Sequence, residues 1–215
     1  MKKIAEVRDH RYKQIPRPSF PVVAIVSSAL EPEAVPRFFK NIPPNGNIAY
    51  VVIHQGDLDQ REDLTGTLAQ FTRMPVIAVS DQLEIREDIV YIISPRVQIV
   101  FREGKFCLFE GTAGDIRCFL DVFFKSLAYE KQESAIAVIL SGTKTDGLYG
   151  MNAIRERGGA VLIQNPASTA FSQLPLAIID VGYADRILSA EEIPSVILSF
   201  GKDPSLPHKQ DPVSD

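Results

Sequence analysis

Short apolar runs alternate with mixed polar and apolar stretches along nearly the whole chain. Val22–Val26 (VVAIV), Ile48–Ile53 (IAYVVI), Pro75–Val79 (PVIAV), Asp88–Ile93 (DIVYII), Ala135–Leu140 (AIAVIL) and Ala160–Gln164 (AVLIQ) are rich in β-branched residues and bounded by turn residues. Runs of that length are too short for typical helices and predict buried strands. The intervening segments predict helices around Glu31–Phe39, Arg61–Arg73, Ile116–Tyr129, Leu148–Arg157 and from Ala190 to about Phe200. In the third of these, Phe119, Leu120, Phe123, Phe124 and Leu127 recur at three and four residues and predict one wide buried stripe. Val97–Phe101 and Phe106–Phe109 flank Arg102-Glu103-Gly104-Lys105 and read as a hairpin with glycine in its turn. Leu176–Val181 is apolar but carries no distinct period.

Strands alternating with helices imply βαβ units, a mostly parallel sheet and right-handed crossovers. The expected fold is therefore α/β: a doubly wound, mostly parallel sheet with helices on both faces and one antiparallel hairpin, placed at a sheet edge. With 215 residues the chain suits one such domain, at 21–200. Residues 1–20 form a basic arm, with Lys2, Lys3, Arg8, Arg11, Lys13 and Arg17 against Glu6 and Asp9. Residues 201–215 are polar and proline-containing and read as a disordered tail.

Charge and composition narrow the function. A net charge of −4 and a pI near 5.5 argue against a nucleic-acid binder. Cys107 and Cys118, the only cysteines, sit in apolar surroundings and read as buried free thiols in a reducing cytoplasm. No Cys/His pair stands at zinc-ligand spacing, and no apolar stretch approaches the length of a membrane span. A cytoplasmic protein without metal, organic cofactor or membrane insertion is expected.

Three of the strands end in residues suited to nucleophilic chemistry. Val22–Val26 runs into Ser27-Ser28, Ile48–Ile53 ends at His54, and Ala135–Leu140 precedes the loop Ser141–Gly147, which holds Asp146. In a parallel sheet these ends share one edge. There a serine, a histidine and a carboxylate could meet as nucleophile, base and orienter. A serine hydroxyl needs an imidazole to take its proton, and the imidazole needs a partner that fixes its tautomer. His10 and His208 lie in the terminal segments, so a histidine base would be His54. Either serine could serve as nucleophile, at the start of a helix whose N–H groups favour developing negative charge. Free N–H groups around Gly142–Lys144 could add to an oxyanion hole. Each residue also has a plain structural reading: a helix cap for the serine, a satisfied histidine, turn chemistry for an Asp before Gly.

Several segments in unbroken order resemble the CheB-type chemotaxis protein-glutamate methylesterases. They are Val22–Val35 (VVAIVSSALEPEAV), Tyr50–Gln55 (YVVIHQ), Asp88–Pro95 (DIVYIISP), Leu120–Ser126 (LDVFFKS), Leu140–Gly147 (LSGTKTDG), Gly158–Ala167 (GGAVLIQNPA) and Leu174-Pro175. The resemblance spans about Phe20–Phe200. Arg-Met-Pro-Val at Arg73–Val76 is similar to the form fused with CheR-type methyltransferases. By position the resemblance implies Ser28 as nucleophile, with Ser27 as the rival. It implies His54 as general base, Asp146 as orienting carboxylate and the Thr143 N–H as an oxyanion donor. It also implies hydrolysis of glutamyl methyl esters on chemoreceptors to glutamate and methanol, in some members glutamine deamidation, and water as the only co-substrate. The chain departs from the family pattern in its nucleophile loop. Val26, Leu30 and Glu31 stand where the family has glycines, Lys144 replaces another glycine, and Ile53 and Gln55 replace the usual Gln and Met beside the histidine. No receiver domain fits in Met1–Pro21. The alternative is a weakly active or inactive CheB-like module that binds a receptor, a CheR-type methyltransferase or a sensor kinase.

Overall fold

The computed structural model describes residues 20–28, 31, 33–55, 64–93, 97–109, 118–143 and 146–200. The basic arm and the tail lie outside the described residues, except for Phe20. Seven strands form one parallel sheet: β1 (Val22–Ser28), β2 (Ala49–Gln55), β3 (Val76–Ala78), β5 (Val90–Ile93), β8 (Ala135–Ile139), β9 (Ala160–Gln164) and β10 (Arg186–Leu188). Their order is β10-β9-β8-β1-β2-β5-β3. From β1 the chain adds β2, then β3 at the edge, and then β5 between them. It then crosses to the other side of β1 and builds through β8, β9 and β10. The doubly wound expectation is met, and the direction of winding switches between β1 and β8. In open α/β sheets ligands collect at the carboxyl ends of the strands beside such a switch.

The strands read as continuous apolar runs because both sheet faces are covered. Val22, Ala24 and Val26 of β1 pack with residues of α3 (Phe119–Lys131), α4 (Leu148–Glu156) and α5 (Gln173–Asp180). Val23 and Ile25 pack on the opposite face with Phe38 and Phe39 of α1 (Ala34–Phe39) and Ile193 and Ile197 of α6 (Ile193–Phe200). All five stripe residues of α3 are buried, as their spacing predicts. Residues 61–63 of the second expected helix lie outside the described residues, and the rest contributes only α2 (Leu64–Leu68).

Two expectations need correction, and two elements had no expectation to meet. The hairpin of β6 (Gln98–Arg102) and β7 (Lys105–Phe109) does not extend the main sheet. With β4 (Leu83–Glu84) it forms a separate antiparallel sheet. Its inner residues Ile99, Phe101 and Phe106 need apolar cover and find it against α3, where Phe101 N also donates to Ser126 Oγ at 2.8 Å. The apolar segment after Pro175 is helical, as α5, with Leu174 and Ile178 inward one turn apart. β10 carries only three residues, too few for a visible period. Finally, the thiols are free but not buried. Cys118 is exposed just before α3, and Cys107 is half-buried on β7.

Lys131 fastens the start of the domain. It is 5% exposed, donates from Nζ to Phe20 O at 3.1 Å and lies over the Phe20 ring at 4.2 Å. Burial lowers its pKa to about 8 from 10.5, against a smaller upward pull from Glu130. Between those values the unfolded chain holds a proton that the folded chain has released, so raising the pH favours folding. Wild type should therefore gain stability relative to Lys131→Met from pH 8 to 10.5, and lose that gain as the pH falls through 8. Urea unfolding of both proteins across that range measures the difference, and a constant difference would contradict the lowered value.

Candidate active site

β1 ends in the two serines, and its parallel register sets Ser27 beside His54 and Ser28 beside Gln55. Register partners on neighbouring strands point to the same face, and successive residues alternate. Ser28 thus closes the row Val22-Ala24-Val26 on the α3 side, and Ser27 closes the row Val23-Ile25 on the α1 side. Ser27 Oγ lies 3.1 Å from His54 Nδ1. Both serines are buried, at 0% and 1% exposure, and His54 is half-buried. The serine in direct contact with Nδ1 is therefore the residue preceding the expected nucleophile.

The backbone around Ser28 differs from the expected helix start. Ser28 N donates to the Oγ of buried Ser141 at 2.9 Å. Ser28 O accepts from Glu31 N at 3.0 Å, in a turn, and α1 begins only at Ala34. Both serines belong to a strand, and no helix dipole starts at either one. Glu31 Oε2 accepts from Thr169 Oγ1 at 2.6 Å, tying the chain after β1 to the segment after β9. Ala29 and Leu30 lie outside the described residues.

That segment after β9 also holds the loop following β8. Gly142 N donates to Phe171 O at 2.7 Å, and Gly142 O accepts from Leu174 N at 3.0 Å. The Gly142 N–H is thereby occupied and is not available to an oxyanion, a correction to the free N–H groups expected there. Thr143 is exposed, and Lys144 lies outside the described residues. A Cβ at Gly142 would meet Gln55 Oε1 at 3.1 Å and Leu174 Cβ at 3.0 Å, so glycine lets these three elements close together. Gln55 Oε1 is buried and has no hydrogen-bond partner among the described residues.

Asp146 sits where this loop turns into α4, before Gly147, whose φ of +115° favours glycine. Its Oδ2 accepts from Leu120 N at 2.8 Å and its Oδ1 from Asp121 N at 3.3 Å. These N–H groups belong to the first turn of α3, whose end they leave unpaired in the helix itself. Asp121 returns the contact, its Oδ1 accepting from Gly150 N in α4 at 2.8 Å. Each carboxylate caps the other's helix.

A seven-stranded parallel sheet with a serine–histidine contact between β1 and β2, beside its switch point, narrows the comparison, and the similarity decides it. The CheB methylesterase family model matches residues 23–197. This chain belongs to the CheB methylesterase family. The crystal structure of the Thermotoga maritima CheB methylesterase catalytic domain is similar to it at a TM-score of 0.77 and 26% identity, covering 85% of this chain and 99% of that one. A protein-glutamate methylesterase/protein-glutamine glutaminase of Trichodesmium erythraeum is 28% identical over 182 residues, 82% of this chain and 52% of that protein. An uncharacterized 104.1 kDa protein of Rhodobacter capsulatus is 32% identical over 130 residues, 60% of this chain but 14% of its own length. A putative protein-glutamate methylesterase/protein-glutamine glutaminase of Leptospira interrogans is 22% identical over 184 residues, 84% of this chain and 94% of that protein. The chain thus spans about half of the Trichodesmium relative and a small part of the Rhodobacter one. Among the described residues, no helix is long and apolar enough to cross a membrane.

Within this CheB-family domain, reading by position missed Ser141, Thr169 and the hydrogen-bonding part of Ser27. Ser141 carried a faint signal as the first polar residue after a buried strand. Thr169 carried none, because its partner Glu31 is 138 residues away.

Proposed function

We propose that the chain is a serine ester hydrolase of the protein-glutamate methylesterase type. Ser28 attacks the ester carbonyl of a glutamyl methyl ester on a chemoreceptor-like protein, and His54 takes the serine proton. His54 then returns it to the departing methoxide, giving methanol and an acyl-enzyme. Water, activated by His54, hydrolyses the acyl-enzyme to glutamate and regenerates Ser28. Asp146 is the carboxylate that supports the imidazolium, and the Thr143 N–H is the candidate oxyanion donor. Glutamine deamidation would follow the same steps with ammonia leaving. The observation that supports the reading is the CheB methylesterase family match over residues 23–197, with Ser28 and His54 at the carboxyl ends of the adjacent strands β1 and β2. The 3.1 Å contact to His54 Nδ1 is made by the neighbouring Ser27. The test is methanol release from methylated chemoreceptor, together with fluorophosphonate labelling mapped by mass spectrometry. Release, with His54-dependent labelling at Ser28, supports the hydrolase.

A second reading has its own support. Glu31, in place of a small residue, is bonded to Thr169 across the nucleophile loop, and both oxygens of Asp146 accept N–H groups of α3. These contacts fit a CheB-like module that binds a receptor, a CheR-type methyltransferase or a sensor kinase without turnover. No methanol and no labelling of the folded protein would favour it.

A further inference from the structure

Gln55 stands beside Ser28 and on its side of the sheet. The two residues are register partners at the ends of β2 and β1, and register partners point to the same face. The Gln55 side chain does not stay over its own strand. β1 lies between β2 and β8, yet a Cβ added to Gly142, after β8, would meet Gln55 Oε1 at 3.1 Å. That Cβ would also meet Leu174, a member of the core on the α3 side. The carboxamide of Gln55 therefore reaches across the end of β1, over the face to which Ser28 points.

Buried carbonyl oxygens are almost always hydrogen-bonded. Gln55 Oε1 is buried and has no partner among the described residues. Backbone donors around it are committed elsewhere: Gly142 N to Phe171 O, Leu174 N to Gly142 O, and Ser28 N to Ser141 Oγ. The residue as a whole is half-buried, so its amide stands at the border between core and solvent. The last torsion of a glutamine side chain is broad, and Oε1 has no bond to lose on turning outward. An acceptor without a donor, beside the proposed nucleophile, suits a donor that arrives with the substrate.

We propose that Gln55 is a specificity-determining residue: its Oε1 accepts an N–H of the substrate carboxamide and tilts selectivity from glutamyl methyl esters toward glutaminyl side chains. The two substrates share a carbonyl and differ in the leaving group. A carboxamide nitrogen carries two N–H donors, whereas a methoxy oxygen carries none. The amide satisfies Oε1 on binding, and the ester leaves it unpaired. A site that hydrogen-bonds a substrate N–H rejects the analogue lacking it far more strongly than apolar packing can. The proposal rests on the Ser28 hydrolase above and names the substrate that its site favours. The step is the same with ammonia leaving. The Ser28 Oγ–carbon bond forms, the carbon–nitrogen bond breaks, and the serine proton departs on nitrogen. Water then converts the acyl-enzyme to glutamate.

Gln55→Met keeps the length of the side chain and removes the acceptor. Ammonia release from a glutamine-bearing receptor fragment, and methanol release from its glutamyl methyl ester form, give kcat/KM for each substrate with the full chain. The amide-to-ester ratio should fall about 10- to 100-fold in Gln55→Met, chiefly through slower ammonia release. Its urea midpoint should be unchanged or higher, because an unpaired buried acceptor has gone. Gln55→Glu, which keeps an acceptor oxygen, should hold the ratio near wild type. Calorimetric binding of the two fragments reads the same contact without turnover. Wild type should bind the glutamine form more tightly than the ester form, and Gln55→Met should bind them alike. An active Gln55→Met with an unchanged ratio, whether or not its stability falls, overturns the proposal and leaves the hydrolase standing. A ratio lost equally in Gln55→Glu overturns it too. Without turnover of either fragment, a Gln55-dependent binding preference removes the hydrolase reading and leaves the carboxamide contact standing. Neither turnover nor such a preference overturns both.

Discussion

Ser28→Ala is expected to slow methanol release by on the order of ten-thousandfold or more, with unfolding free energy within about 1 kcal/mol of wild type. The two halves of that expectation have different causes. The side chain is small and the position is 1% exposed, so alanine fills the same space and leaves the ladder to β2 intact. The Ser141 contact is made by the Ser28 backbone N–H, which alanine keeps. The strand ladder and the Ser141 contact are kept, whereas the hydroxyl proposed to form the acyl-enzyme is removed. His54→Gln should cost a similar factor, and the double variant should be no slower than either single one. Nucleophile and base act as one unit, and the second removal finds nothing left to disable. Independent losses that multiplied would mean the two residues do not serve one step. Retained release in Ser28→Ala, with loss in Ser27→Ala, would transfer the nucleophile to Ser27.

The parts of this design that were legible in the sequence are those carried by short-range pattern. Val22–Val26 and Ala135–Leu140 announce buried strands because both faces of each are covered. The α3 stripe announces a helix because only one face is covered. Strand-ending polar residues mark the functional edge, because parallel strands deliver all their carboxyl ends to one side. What stayed hidden depends on the third dimension. The assignment of Ser27 to His54 follows from register, which no local pattern specifies when strands are apolar on both faces. The Gly142 N–H looked free because its acceptor, Phe171 O, lies beyond both α4 and β9. The separate small sheet depends on α3 offering apolar cover, which the hairpin's own sequence cannot announce.

The replaced glycines take on a specific meaning in the same geometry. Glu31 does not hang free at the mouth of the site. Its bond to Thr169 links the loop after β1 to the segment that also grips both backbone groups of Gly142. One segment therefore braces the chain after β1 and the chain after β8 together.

Asp146→Ala is expected to lower stability by about 2–3 kcal/mol and, in the protein that remains folded, to lower kcat about a hundredfold. The stability loss follows from two contacts, the Leu120 and Asp121 N–H groups that its oxygens accept at 2.8 and 3.3 Å. Without the carboxylate, part-buried donors at the start of α3 lose their acceptor and the favourable negative charge at a helix N-terminus. Asp146→Asn should fall between wild type and alanine, because one amide oxygen can accept while the NH2 group opposes the second donor. Asp121→Ala is the control for the scaffold. It removes the reciprocal contact to Gly150 N at 2.8 Å and should cost about 1–2 kcal/mol, yet leave kcat near wild type below the unfolding transition. Methanol release, corrected for the folded fraction by circular dichroism, separates the two effects. If both variants lost activity only in proportion to unfolding, Asp146 would be a clasp between α3 and α4 and nothing more. A kcat loss confined to Asp146 places the carboxylate in the chemistry as well. The same side chain would then hold two helices together and supply the negative charge that His54 needs when it becomes an imidazolium.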